Sequence, residues 1–520
     1  MTPMPASLPS YGETTRPDRI SFWLATAPFP SYPKLEGQAE ADVAVIGAGI
    51  VGLTCAALLA AAGRDVLVIE GDRIAAGVSG NTTAKLTAGH GLVYSRLEDD
   101  FDSEAARTYA ESQSAAVGLV RRLCAELSIE CDLETAANFV FSESAEELAK
   151  LEQEVAAAKR AGLPATFETA VELPFAVAGA VRLADQAQFH VRRYLLALAA
   201  QVTANGGRIA ESSRVTEITG DGPHTVSTND GEVAAGTVVV ATHYPIVEQG
   251  FFATRIHPRR SYVVAAPLRA DSHVPGMFIN IGSPTRSLRT APLPDGRRLL
   301  LVGGEGHRVG QEADTEARYR ALEAFMQEHF DVDETMYCWS TQDTFTLDGL
   351  PFIGRIAETP HLFVATGFGG WGMTNGTVAA MVISDLIQGV ENSWAPLYEL
   401  GRRSLVASAG RFLTENTNVA MQQVARPLQA RAGSLEDIEP GAGAVISSGG
   451  EHIAVFRNPE GAVTAVSATC THMGCLVSWN GAERTWDCPC HGSRFALDGK
   501  VLHGPATQNL EGVDVEEARS

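Results

Sequence analysis

Positive charge is in short supply in this chain. Its 40 Lys and Arg residues face 62 Asp and Glu, a formal net charge of −22. Nucleic acid and anionic membrane both require a basic footprint, so neither is expected as a main partner. Cysteine is scarce as well. Of eight in 520 residues, Cys55, Cys124, Cys131 and Cys338 are scattered, as buried thiols would be and unlike a secreted disulfide framework. The start, MTPMPASLPSYGETTRPDRISFW, lacks a basic segment followed by an apolar core; no secretory leader is expected, and the chain is read as cytoplasmic. Two uncharged stretches, 43–63 and 359–384, have the length of membrane spans, but both are glycine-rich and read better as strand, glycine turn and helix, so no transmembrane segment is expected. The length allows two to four domains, each with its own core.

The stretch ADVAVIGAGIVGLTCAALLAAAGRDVLVIEGDR reads as strand, tight turn, helix and strand: Val43–Ile46, then Leu53–Ala62, then Val66–Ile69. Gly47, Gly49 and Gly52 form G-x-G-x-x-G between the first two. The first glycine allows the turn, the second lets the backbone approach a pyrophosphate, and the third lets helix pack on strand. The helix start then offers free amides and a positive dipole end. Glu70 closes the second strand 18 residues past Gly52, where an acid would bind ribose hydroxyls. The fingerprint alone does not separate NAD from FAD. Beyond Glu70 the chain enters no third strand–helix repeat; it continues into a small-residue loop, GVSGNTTAKLTAGHG, and a charged helical region at about 101–162. Gly367, Gly369 and Gly372 form a second, late G-x-G-x-x-G, yet no strand ending in an acid comes after its helix, so a second nucleotide site is not expected.

Together the opening fingerprint with Glu70, GVSGNTTA, VVVATHYP and the closing DGLPFIG…ATGFGGWGMTNG resemble the D-amino-acid oxidase/glycine oxidase superfamily over residues 41–390. The resemblance implies an α/β, Rossmann-like FAD-binding domain with an antiparallel-sheet substrate domain inserted at roughly 95–340. It implies that Gly47, Gly49, Gly52 and Glu70 bind the ADP half of FAD. Ser79, Thr82 and Thr83 would lie near the diphosphate or the ring, and Gly370, Gly372 and Met373 beside the flavin's pyrimidine edge. Residues 1–40 are then an N-terminal extension.

The other four cysteines fall in CTHMGCLVSWNGAERTWDCPCHGS. Cys470 and His472 form C-x-H; Cys488 and His491 form C-x-x-H, with 15 residues between the pairs. Tetrahedral zinc sites usually pair two cysteines on one knuckle with two histidines on the other. A mixed pair on each of two loops suits a 2Fe–2S centre in which cysteines hold one iron and histidines the other; zinc is kept as the lesser alternative. CTHMGC, CPCHGS and the later GPA at 504–506 resemble the Rieske fold, implying an all-β domain over about 434–520, tethered by a helical segment, 391–433. By the same resemblance Cys475 and Cys490 match the bridging disulfide of the cytochrome-complex branch. Ser493 matches a hydroxyl that bonds a bridging sulfide, while Phe495 stands where those proteins carry a tyrosine. One hydrogen bond fewer implies a potential below the respiratory members, within the ~−150 to +300 mV of such centres.

The middle of the chain is weaker ground. Arg286 and Arg289 in SPTRSLRTAP would clamp a carboxylate, His307 in GGEGHRVG would act as a base, and Tyr262 would hydrogen-bond substrate, each set against a purely structural role. His90 in TAGHG is weighed as a covalent flavin attachment and ranked lower, since its position does not align cleanly with the family's. The expected activity is an FAD-dependent dehydrogenase, rather than an oxidase, acting on a small amine, amino acid or hydroxy acid and passing electrons singly through the Rieske centre to an external acceptor. The alternative is a flavin/iron–sulfur relay or redox sensor fed by another protein.

Overall fold

Continuous apolar runs make the first sheet. Val43–Ile46, Val66–Ile69 and Val238–Val240 are buried throughout, as strands covered on both faces must be. In the computed structural model these runs lie in an eight-stranded sheet. The structure describes residues 18–514, except 248, 270, 271, 358, 360, 403, 404 and 430–434, and the side chains of 405–410 and 424–429. The main path of the sheet runs Phe352–Arg355, Leu362–Thr366, Gly231–Val240, Gly37–Ile46, Val66–Ile69 and Arg208–Ala210. The inner pairs are parallel, and the Phe352–Arg355 edge and the hairpin Val215–Thr219/His224–Thr228 are antiparallel. Helices Ile50–Ala61 and Gly372–Ile387 cross against one another at Gly376, where a Cβ would come within 2.7 Å of Ile50 Cγ2.

The inserted sheet has nine strands, ordered along its main path Tyr337–Thr346, Ile256–Pro267, Arg298–Arg308, Arg286–Pro292, Met277–Asn280, Glu134–Ser142, Gly179–Gln188 and Lys85–Leu86, with Ala165–Glu168 pairing off Gly179–Gln188. It departs from the expected antiparallel sheet at one place: Met277–Asn280 runs parallel to Glu134–Ser142. That strand also corrects the helical reading of 101–162. Helices Ser103–Glu126 and Leu148–Arg160 are real, but the segment between them contains NFVF, whose aromatic and branched residues suit a sheet.

The C-terminal domain is all antiparallel, with a three-stranded sheet (Gly443–Ser448, Glu451–Arg457, Val463–Ser467) and a four-stranded one (Ser478–Asn480, Thr485–Asp487, Arg494–Phe495, Val501–His503). The segment 391–433 carries helices Ala395–Tyr398 and Leu405–Gln429, the longer one held to the body by Glu415 on Arg308 at 2.8 Å; residues 430–434 and 515–520 lie outside the described residues. Of the proposed extension 1–40, residues 1–17 also lie outside them. The rest belongs to the body: Phe22 and Trp23 are buried in the main core and strand Gly37–Ile46 begins within it. No helix among the described residues is long and apolar enough to cross a membrane.

Candidate active site and metal centre

One cavity of about 700 Å³ runs between the two large sheets. Its floor is built by glycine. Gly47 has φ +100, and a Cβ there would come within 2.5 Å of Ala241 O; at Gly52 a Cβ would meet Gly47 O at 1.8 Å, so only glycine lets the helix start against the turn. The N-cap of Ile50–Ala61 is Gly49, without a side-chain cap of its own; Ser79 Oγ takes the Ile50 amide at 3.0 Å. Glu70 accepts from the amides of Ala48 and Asp72, at 2.8 and 2.9 Å, and its side chain fixes the turn beside the cavity. The start of Gly372–Ile387 opens on the same cavity, likewise without a side-chain cap and entered through Gly367, Gly369 and Gly370, all at positive φ. Two helix N-termini opening on one cavity suit a ligand with a diphosphate at one place and an electron-rich ring edge at another. The residues present therefore fit an extended FAD.

The four tail ligands come from two loops of matching construction. In one, Cys470 N bonds Cys475 O and Gly474 N bonds Cys470 O; in the other, Cys488 N bonds Ser493 O and Gly492 N bonds Cys488 O. Cys475 and Cys490 are joined in a disulfide that ties the loops together. Their sulfurs lie within 4.8 Å of the Cys488 sulfur, but the bond between them removes them as ligands, leaving Cys470 and Cys488. These two thiols share a hydrogen bond, which holds Cys470 down to about 7. The rings of His472 and His491 stand 5.0 Å apart at 87°. His491 Nδ1 is buried without a hydrogen-bond partner, an arrangement costly unless a ligand completes it. Two thiols and two imidazoles converging in this way fit a 2Fe–2S cluster with mixed ligation. Ser493 Oγ accepts from Ala506 N at 3.0 Å and hydrogen-bonds the Cys470 thiol, whereas Phe495 is fully buried and brings no hydroxyl.

Comparison with known proteins gives both halves a place. The FAD dependent oxidoreductase family model matches residues 42–386. The chain belongs to that family. A second match, to the Rieske [2Fe-2S] domain, covers 430–514. YhfW of Bacillus subtilis (strain 168), whose name is that of a Rieske 2Fe-2S iron-sulfur protein, is 33% identical over 95% of this chain and 98% of its own. The gamma-glutamylputrescine oxidoreductase of Escherichia coli (strain K12) is 26% identical over 71% of this chain and 89% of its own. Among solved structures, glycine oxidase from Geobacillus kaustophilus superposes with a TM-score of 0.59 at 21% identity, over 70% of this chain and 99% of that one. The oxidoreductase thus binds FAD and carries a Rieske 2Fe–2S cluster, and zinc drops out as the alternative.

Within the oxidoreductase, the cavity is lined by Gly47, Gly49, Glu70, Ser79, Thr82, Thr83, Gly370, Gly372 and Met373; Gly52 lies behind them in the helix. The late glycine pattern opens on this same cavity rather than on a second one. Of the four substrate-side candidates only Tyr262 lines it. Its hydroxyl lies 2.9 Å from His307 Nε2, while His307 Nδ1 lies 2.8 Å from Arg308 O. The carbonyl requires Nδ1 to carry the proton, so Nε2 accepts from the phenol. Burial lowers His307, keeping the imidazole neutral at pH 7. The arginine clamp is not formed. Arg286 pairs with Glu305 at 2.7 Å, whereas Arg289 is buried and donates to the carbonyls of Thr83, Ala84 and Thr290, burial lowering it to about 9. Residues three apart on a strand face opposite sides, so the two could not have gripped one carboxylate. His90 does not line the cavity either: Nδ1 is 2.6 Å from Tyr109 Oη, Nε2 is 2.9 Å from Thr374 Oγ1, and the ring stacks on Trp371.

Three charged wall residues carry no motif that would single them out in the sequence. Lys85 is buried, donates to Phe278 O at 2.6 Å and is lowered by burial. Glu305 and Arg318 form a wall pair at 3.0 Å. Glu305 has φ +56 next to Gly304 at φ +153, a bend whose only sequence trace is the glycine-bracketed GGEG. The C-terminal domain reaches this cavity too. Leu502, His503, Gly504, Ala506 and Thr507 line it, and His503 Nε2 is 3.1 Å from His243 Nδ1. Gln342 donates to Gly492 O, Tyr319 to Glu483 and Thr315 to Asn480, so the cluster domain is docked through buried polar contacts.

Proposed function

We propose that the protein is an FAD-dependent dehydrogenase that oxidises a small amine, amino acid or hydroxy acid and delivers the electrons through its own Rieske centre to an external acceptor. When bound, FAD supplies a two-electron acceptor that can release electrons one at a time, and the 2Fe–2S cluster a one-electron carrier. The observation that carries this reading is the shared wall: the loop 502–507, next to the cluster loops, lines the same cavity as Gly47, Gly49, Gly370 and Gly372. A carrier domain that contributes to the wall of the flavin cavity favours a dehydrogenase over an oxidase. At the substrate end, Tyr262 has its proton engaged by His307, so its oxygen lone pairs are left to accept a hydrogen bond from a substrate N–H or O–H. Glu305 and Arg318 offer both signs of charge to a zwitterionic or amine-bearing substrate. The names of two relatives, one of a glutamylputrescine enzyme and one of a glycine enzyme, favour the amine and amino-acid arms. An anaerobic screen of pooled amines, amino acids and hydroxy acids tests this reading, with flavin bleaching followed optically and the reduced cluster by electron paramagnetic resonance. One pool should bleach the flavin and bring up a Rieske signal. If no pool does so, but reduced carrier proteins fill both centres, the protein is a relay.

A further inference from the structure

Tyr244 is an odd residue for its position. It directly succeeds Ala241, Thr242 and His243, which line the flavin cavity, yet its ring turns toward the cluster loops. The ring centroid lies 6.5 Å from that of His472 and 6.4 Å from that of His491, edge-on to both at 71°. The side chain is 1% exposed. Its hydroxyl has no hydrogen-bond partner among the described residues, which for a buried phenol is an expensive arrangement. A phenol keeps its proton at neutral pH, so the hydroxyl remains a donor. The backbone is pinned on both sides: Thr242 Oγ1 donates to Tyr244 O at 2.7 Å and Thr366 Oγ1 to His243 O at 2.6 Å. A fixed, buried donor beside two cluster ligands requires an acceptor. The electron-rich group those ligands bring there is the sulfur of the loaded centre.

We propose that Tyr244, a residue of the flavin domain, donates a hydrogen bond to a sulfur of the 2Fe–2S centre when the cluster is bound, and so sets the cluster's potential from across the domain boundary. Hydrogen bonds to cluster and ligand sulfurs stabilise the reduced, more negative state and raise the potential. Within its own domain the centre has the Ser493 hydroxyl but only the apolar ring of Phe495 beyond it. Tyr244 is thus a positioning and tuning residue, and the docked geometry becomes part of the electronic design. The inference rests on cluster ligation and not on the substrate assignment, so its failure leaves that assignment untouched.

The test is a redox titration of the full-length, cofactor-loaded protein followed by electron paramagnetic resonance. Tyr244→Phe keeps the ring and removes the donor. It should shift the cluster midpoint downward while the flavin absorption spectrum and FAD content stay as in wild type. A second variant carrying 3-fluorotyrosine at position 244, a stronger donor of nearly the same shape, should shift it upward. A midpoint unchanged in Tyr244→Phe, or one that does not rise with fluorotyrosine, overturns the proposal. Should Tyr244→Phe fail to retain its cluster, the fluorotyrosine titration decides alone.

Discussion

Arg289 and Gly52 show what can and cannot be read from single residues. A glycine in G-x-G-x-x-G states a geometric requirement, and the structure meets it: at Gly52 a Cβ would sit 1.8 Å from a backbone oxygen. Gly52→Ala should therefore prevent FAD from being retained, which the flavin absorbance of the purified protein reports. An arginine in a strand states nothing until the register is known. Arg289 holds the carbonyls of Thr83 and Ala84, behind the loop that faces the cavity. Arg289→Met leaves those carbonyls unpaired, at about 1–3 kcal/mol each. It should lower thermal stability and weaken FAD binding with little change in the KM of whichever substrate the screen finds. A carboxylate clamp would show the opposite pattern, with a large rise in KM and unaltered FAD content. His90 makes a further case: with both ring nitrogens engaged and burial lowering it to about 3, it leaves no nitrogen for a bond to the flavin. Acid precipitation should release FAD fully into the supernatant.

At the scale of elements, the strand–turn–helix–strand of the nucleotide half was legible because its apolar runs, glycines and terminal acid all agree. The strand Glu134–Ser142 was hidden between two charged helices, since its pairing partners lie far away at Gly179–Gln188 and Met277–Asn280. The docking of the cluster domain was equally illegible, because it depends on pairs that only the fold brings together. Asp487, on strand Thr485–Asp487, is bonded to Arg494 of its own sheet at 3.0 Å and lies 3.9 Å from Arg260 of the inserted sheet, all three buried. Burial opposes its charge, but Arg494 and Arg260 prevail and lower it from 3.8 to about 2. The folded carboxyl being the stronger acid, this contribution is present in full above pH 3.8 and is lost as pH falls toward 2. Asp487→Asn removes one partner of a buried charge network. It should cost about 3–5 kcal/mol in denaturant unfolding at neutral pH, since two guanidinium groups are left under-compensated. A loss below about 1 kcal/mol would mean that the pairing is incidental.

For the molecule as a whole, two redox domains were legible through their ligand motifs, but their arrangement was not. The motifs are local, whereas the shared cavity wall is made of residues 241–243, 369–373, 502–504, 506 and 507. On the proposed function, that wall predicts that electron transfer from flavin to cluster is an event within one chain. Flash photoreduction of the flavin under argon, with the reduced-cluster signal followed in time over a wide range of protein concentrations, measures this directly. Transfer within one chain gives a first-order rise whose rate does not depend on concentration. A rate that climbs in proportion to concentration would contradict it, because the cluster serving each flavin would then belong to another molecule.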